Sequence, residues 1–196
     1  MPRAREFDED ALMDAAIELF WVHGYRAASL TDLSGVTGVG NGSLYQAYGS
    51  KWSLFLTAFR LYCARRVELV QAALDGARGG TESTVVTFFD AIVDDCASYP
   101  DRRGCLMVNS ISELGSDADV AAIASEAIRQ MESAMEVSLA EAAGRPSSPE
   151  LATTAAQVIS LSQALIQLAR VGRDDDDLRR IGRQTAAQIS RSLHAA

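Results

Sequence analysis

The sequence predicts an all-α protein of about nine helices. Apolar residues recur at three- and four-residue spacing through most of the chain, and no stretch shows the strict alternation of a half-buried strand. Four prolines and a 7% aromatic content go with a helix-rich chain filled by Ala and Leu. At 196 residues and 48% apolar composition the chain suits one or two compact domains with a real core.

The first helix follows a short arm, Met1 to Glu6, that carries Arg3 and Arg5. Asp8 is its N-cap, and Phe7 and Leu12 hold the positions of a hydrophobic staple. Leu12, Ala16, Leu19 and Phe20 form the inward stripe, and Gly24 ends the helix. His23 is expected to pack or hydrogen-bond near that end.

The stretch Ser29 to Lys51, SLTDLSGVTGVGNGSLYQAYGSK, reads as two short helices joined by a tight turn. Ser29 caps the first, Asp32 suits its first turn, and Leu30, Leu33 and Val36 make one apolar stripe. Thr37-Gly38-Val39-Gly40 breaks the pattern, because glycine reaches positive φ at little cost. From Asn41 to Ala47 a second helix keeps Leu44 inside and Asn41, Ser43, Tyr45 and Gln46 outside. Helix, three- or four-residue turn and polar-faced helix is the geometry of a helix-turn-helix DNA reader, and equally of an ordinary αα-corner. Lys51, the one lysine in the chain, opens a further helix where free backbone N–H groups and a cation coincide, a place for a phosphate.

From Phe7 to Leu54 the chain resembles the tetracycline-repressor (TetR) family of bacterial transcription regulators. The segments AAIELFWVHGY, SLTDLSGVTGVGNGSLY and YGSKWSL occur in order and at family spacing. Gly40 and Asn41 stand where the family often has Ser and a basic residue, and Tyr48 replaces the usual Phe. The resemblance implies a helix-turn-helix domain over residues 1–50 and a ligand-sensing, dimerising domain over residues 51–196. It assigns Asn41, Ser43 and Gln46 to base edges and Thr31, Tyr45, Tyr48 and Lys51 to phosphates, with Ser29 at a helix end nearby. Asn and Gln suit adenine, whereas a Ser hydroxyl discriminates poorly. Arg3 and Arg5 either reach DNA from a mobile arm or belong to a solvated terminus. The expected partners are double-stranded operator DNA and an unknown small-molecule effector.

Charge limits how such a protein holds DNA. The formal net charge is −8, and residues 1–51 carry four basic against seven acidic side chains. A generally sticky nucleic-acid coat is excluded, leaving few, well-placed contacts. Three widely spaced cysteines, no apolar leader and no run of ~18–20 apolar residues point to a reducing cytoplasm and no membrane partner.

Beyond Lys51 a long helix without internal Gly or Pro runs to Leu74, with Leu54, Phe55, Ala58, Leu61, Tyr62, Arg65 and Leu69 at mixed spacing. Gly76 to Gly80 is a joint. Helices are then expected from Thr81 to before Pro100, across Gly104 to Leu114, and from Asp117 to Ala143. Ser148 and Pro149 take the N-cap and N1 positions of the next helix, Glu150 to Val171. The acid run Asp174 to Asp177 opens the last, either as favourable charge at a helix N-terminus or as a metal group. The last two helices carry more apolar surface than one protomer covers, which predicts an isologous homodimer through them.

No catalytic set appears, and two histidines, His23 and His194, offer no metal cluster or general base. No enzyme activity, metal or cofactor is expected. Phe59, Tyr62, Cys63, Phe88, Phe89, Ile92, Cys96, Met107, Met131 and Met135 either line a mainly apolar effector cavity or are solid core. Cys105, after Arg102-Arg103-Gly104, is either a sensor of oxidants and electrophiles or a small buried apolar residue. The competing reading of the whole chain is a helical ligand-binding or scaffolding dimer without operator binding.

Overall fold

A computed structural model describes residues 8–195. Arg3, Arg5 and Phe7 of the expected arm and staple lie outside the described residues. Within these the backbone forms helices and turns and no strand, as the all-α reading requires. The helices are α1 (Glu9–Ala27), α2 (Leu30–Thr37), α3 (Asn41–Tyr48), α4 (Lys51–Asp75), α5 (Thr81–Ala97), α6 (Leu106–Leu114), α7 (Ala118–Ala143), α8 (Pro149–Arg170) and α9 (Asp175–Ala195). They pack as two compact units, residues 8–64 with 106–124, and residues 65–105 with 125–195.

The first unit is built on α1. Asp8 accepts hydrogen bonds from the Asp10 and Ala11 N–H groups, so the expected cap forms. Leu12, Ala16, Leu19 and Phe20 are buried, joined by Met13, Ile17 and Trp21. Phe20 and Phe55 meet edge to face at 5.2 Å, Phe55 stacks on Phe59 at 5.6 Å, and Trp21 meets Tyr62 at 5.0 Å. Such aromatic pairs contribute ~0.5–1.5 kcal/mol beyond their buried area. Tyr62 also accepts a hydrogen bond from the Leu106 N–H at 3.2 Å, which satisfies one free donor at the start of α6.

The second unit is organised on α5, which packs most extensively against α9 and then α8. Val85, Phe88, Phe89, Ile92 and Val93 give α5 its buried face. Arg179 of α9 bridges Asp90 at 3.3 Å and Asp94 at 2.6 Å, and these carboxylates raise its pKa. Arg66 of α4, itself buried, pairs with Asp95 at 2.6 Å. Ser148 caps α8 as expected, and Asp174 accepts the Asp176 N–H at the start of α9. By length and composition α8 is apolar enough to cross a membrane, yet Leu151, Ala155, Val158, Ile159, Leu165 and Ile166 are buried inside the unit, as in a core helix.

Local departures have simple causes. Val36, expected on the buried stripe of α2, is 69% exposed. Six residues on from Leu30 it has rotated about 120° around the helix, off the buried arc. His23 is exposed, on the face of α1 away from the core. On α9 the buried line is Leu178, Gly182, Ala186 and Leu193, whereas Ile181, Thr185 and Ile189 are half-buried.

Gly182 has a packing reason: a Cβ there would stand 2.9 Å from the Cβ of Phe89, an atom fixed to the α5 backbone. Gly182→Ala therefore forces α5 and α9 apart and destabilises by roughly 1–3 kcal/mol. Gly35→Ala, inside α2 with open space around it, stabilises by about 0.5–1 kcal/mol. Denaturant melts of the two variants check both signs.

Candidate nucleic-acid interface

The α2–α3 pair is set by local bonds. Ser29 and Asp32 form a reciprocal capping box: the Asp32 N–H donates to Ser29 Oγ at 3.1 Å, and the Ser29 N–H donates to Asp32 Oδ2 at 3.0 Å. The Ser29 hydroxyl and backbone donors hold the Asp32 carboxyl below its ordinary pKa. This cap is thus complete above the usual carboxylate range and is lost as pH falls through the lowered value. Gly38 ends α2 with φ 70°, its N–H bonded to the Ser34 carbonyl at 2.9 Å. Thr37 Oγ1 donates to the Leu33 carbonyl and accepts from the Val39 N–H, which closes the turn.

Gly40 then opens α3 without a side-chain cap. Leu44 is the one buried side chain of α3, and Asn41, Ser43 and Gln46 are exposed. Tyr45 is 55% exposed. Asn41 Nδ2 approaches Thr31 Oγ1 at 3.4 Å, so the starts of α2 and α3 lie side by side. Tyr48 is half-buried, with its hydroxyl 3.4 Å from a Glu9 carboxylate oxygen. Five of the eight sequence-assigned residues, Thr31, Asn41, Ser43, Tyr45 and Gln46, are thus exposed on the α2–α3 pair.

Lys51 has a structural role that the sequence does not announce. Its Nζ donates to the Ala28 carbonyl at 2.6 Å and lies 4.4 Å from the centre of the Tyr25 ring. The reason is Gly24, whose φ of 75° and ψ of 169° break α1 and leave one further turn, Tyr25 to Ala27. That turn has its own free N–H groups, and Glu113 of α6 supplies their partner. Its carboxylate accepts from the Tyr25 N–H at 3.0 Å and from the Arg26 N–H at 2.9 Å. A carboxylate at the start and an ammonium at the end match the turn's dipole from both sides. Tyr25 then packs its ring against Trp52 at 5.1 Å and Phe55 at 5.0 Å. Sequence reading could not find Glu113, because its partners lie 87 and 88 positions away.

The sequence-assigned effector residues are distributed over both units. Phe59, Tyr62, Cys63 and Met107 are buried in the first, and Phe88, Phe89, Ile92, Met131, Met135 and Cys105 in the second. Cys96 is half-buried beside Asp95; burial and that carboxylate push its thiol up to about 11, so it stays protonated at neutral pH. Cys105 is 2% exposed. A cleft of about 750 Å³ lies elsewhere in the second unit, between the end of α4, the turn into α5 and the C-terminal half of α7.

An exposed polar helix held behind a capped helix and a glycine turn has the geometry of a helix-turn-helix, and its likeness to known proteins sets it apart from an ordinary αα-corner. Residues 12–58 match the family described as bacterial regulatory proteins, tetR family. Over 115 residues the chain is 36% identical to ComR, an HTH-type transcriptional repressor of Escherichia coli (strain K12), which covers 59% of this chain and 55% of that one. It is 31% identical over 135 residues to the HTH-type transcriptional regulator YezE of Bacillus subtilis (strain 168), covering 68% and 69% of the two chains. The match thus spans about half the length of ComR. A TetR transcriptional regulator from Chloroflexus aurantiacus has the same fold, with a TM-score of 0.77 at 22% identity over 92% of this chain and 93% of that one. A cysteine-substituted form of the TetR family regulator CifR, complexed with 26-bp operator DNA, matches with a TM-score of 0.69 at 26% identity over 100% and 99% of the chains. The chain belongs to the TetR family of bacterial regulatory proteins.

Removing the Glu113 carboxylate tests the α1–α6 tie. Glu113→Ala leaves the Tyr25 and Arg26 N–H groups without their partner and costs about 1 kcal/mol or more. Hydrogen exchange is expected to quicken at those two amides while the Leu12 to Phe20 amides of α1 keep their protection. Glu113→Gln, which keeps one carbonyl acceptor, falls between.

Proposed function

We propose that this chain is a dimeric, effector-responsive repressor that reads a pseudo-palindromic operator with α3. The observation that carries the reading is the α3 surface: Leu44 alone is buried, and an amide, a hydroxyl, a phenol and a second amide point outward over eight residues. Asn41, Ser43 and Gln46 take base edges, and Thr31, Tyr45, Tyr48 and Lys51 take phosphates with Ser29 nearby. The complex of CifR with operator DNA and the repressor name of ComR support this assignment.

Two copies join through α8 and α9. Leu161 and Leu168 of α8 and Ile181 and Ile189 of α9 are only half-buried within one chain, and Val171 beyond α8 is 80% exposed. An isologous contact covers these side chains and sets the two recognition helices about 34–36 Å apart, or a multiple of this, for successive major grooves. As with TetR-family regulators generally, the site of action is the cytoplasm. Effector binding in residues 51–196 favours a helix spacing that no longer fits the operator. By linkage, DNA and effector weaken each other by one coupling energy, typically ~1–3 kcal/mol. The aromatic and methionine residues assigned to an apolar pocket are packed side chains, so an apolar effector has to displace them to enter.

The acidic first domain and the uncapped start of α3 favour a second reading, a helical dimer that binds ligand without an operator. Selection of bound sites from random duplex DNA separates the two: the repressor reading expects a two-fold symmetric consensus, and recovery of no consensus removes it. Within the repressor reading, Lys51→Ala weakens operator and random DNA alike. If its ammonium reaches a phosphate, the slope of log affinity against log salt falls by about one. Reduced affinity at an unchanged slope instead confines Lys51 to holding Ala28 and Tyr25.

A further inference from the structure

We propose that the 750 Å³ cleft in the second unit is the effector site and takes an aliphatic amine or guanidinium cation. This rests on the effector-responsive reading above and names the effector's chemistry. The volume lies within the range of about 300–1,000 Å³ typical of small-molecule sites. One wall is a second face of α7, with Gln130, Ser133, Ala134, Val137, Ser138 and Glu141 at helical spacing; the buried face of the same helix carries Met131, Met135 and Leu139. The opposing wall includes Asp75 at the end of α4. Small side chains on α7 keep the groove open.

Its charged groups are two carboxylates and one guanidinium. Asp75 and Glu141 bring a carboxylate to each wall, and neither makes an ion pair among the described residues. Gln130 gives an N–H to Glu126 at 2.7 Å, which leaves its carbonyl oxygen for the cleft. The Thr84 hydroxyl donates to the Gly80 carbonyl at 3.3 Å, so it too has acceptor capacity left. Arg78 is the one cation of the lining, and its Nη1 is bonded to the Asp75 and Ala77 carbonyls of its own turn at 2.6 and 2.7 Å.

Two carboxylates without ion pairs, set against one guanidinium partly engaged with its own turn, select a cation that donates hydrogen bonds. An ammonium brings three donors and a guanidinium five, each charge-assisted against a carboxylate. A quaternary ammonium has no N–H to give the carboxylates, and no aromatic side chain lines the cleft to offer it a ring face. The net charge of −8 favours the approach of a cation.

The test uses the full chain with 1,5-diaminopentane and agmatine as probes and tetraethylammonium as the non-donating cation. Calorimetry is expected to show saturable binding of the two donors, with no binding of tetraethylammonium. Asp75→Asn and Glu141→Gln, both at exposed positions, each weaken binding about tenfold. Operator affinity, measured with and without probe at fixed ionic strength, falls at least about fivefold for the natural sequence and stays level for the Asp75→Asn/Glu141→Gln double variant. The double variant also controls for amines acting on the DNA itself. No binding, equal binding of tetraethylammonium, or binding indifferent to both carboxylates overturns the proposal. Carboxylate-dependent binding that leaves operator affinity unchanged overturns the effector role. A chain that binds the amines but no operator brings down the repressor reading, and calorimetry still decides the cleft.

Discussion

The α2–α3 pair of this protein depends on one short turn. Gly24 stops α1 with a backbone conformation open to few residues other than glycine, and the three residues after it form a turn too short to stabilise itself. Glu113 closes its N-terminal donors and Lys51 its C-terminal carbonyl, from two different helices. Ala28, buried immediately after, leads into the Ser29 cap of α2. The direction in which α2 leaves, and with it the placement of α3, follows from a carboxylate and an ammonium that the chain brings together from distant positions.

The proposed operator contact lies in an acidic part of the chain. With four cations against seven acids in residues 1–51, long-range attraction for DNA is weak. The exposed α3 surface is uncharged, and uncharged hydrogen-bonding groups discriminate bases without supplying a general attraction. Part of the acidity is structural. Asp8 and Asp32 cap helices, and Glu113 caps the turn after Gly24, so these carboxylates are directed at backbone N–H groups. In the second unit Asp90, Asp94 and Asp95 are likewise tied to Arg179 and Arg66.

Much of this was legible in the residues. Helix number and most helix ends follow from periodicity, caps and glycines, because each is a local property of fewer than about a dozen residues. The outward face of α3 follows from the same rule, since a single buried Leu44 orients an eight-residue helix. Hidden from the sequence were Arg66 as a buried partner of Asp95, Gly182 as the contact point of α9 on Phe89, and the tie from Glu113 to α1. Each pairs residues with no periodic relation. Val36 shows the complementary error, a stripe extended one step past the arc that its short helix buries.

The sequence by itself determined the helices, their caps and the polar face of α3, because backbone hydrogen bonding and amphipathic spacing act over a few residues at a time. Only the tertiary structure decided that Lys51 reaches Ala28, that Glu113 closes the broken end of α1, and that the aromatic and methionine side chains are packed while a cleft with Asp75 and Glu141 in its walls stands open beside α7. Those outcomes depend on which helix faces meet, and a face carries the same residues whether it is covered by a neighbour or left to solvent.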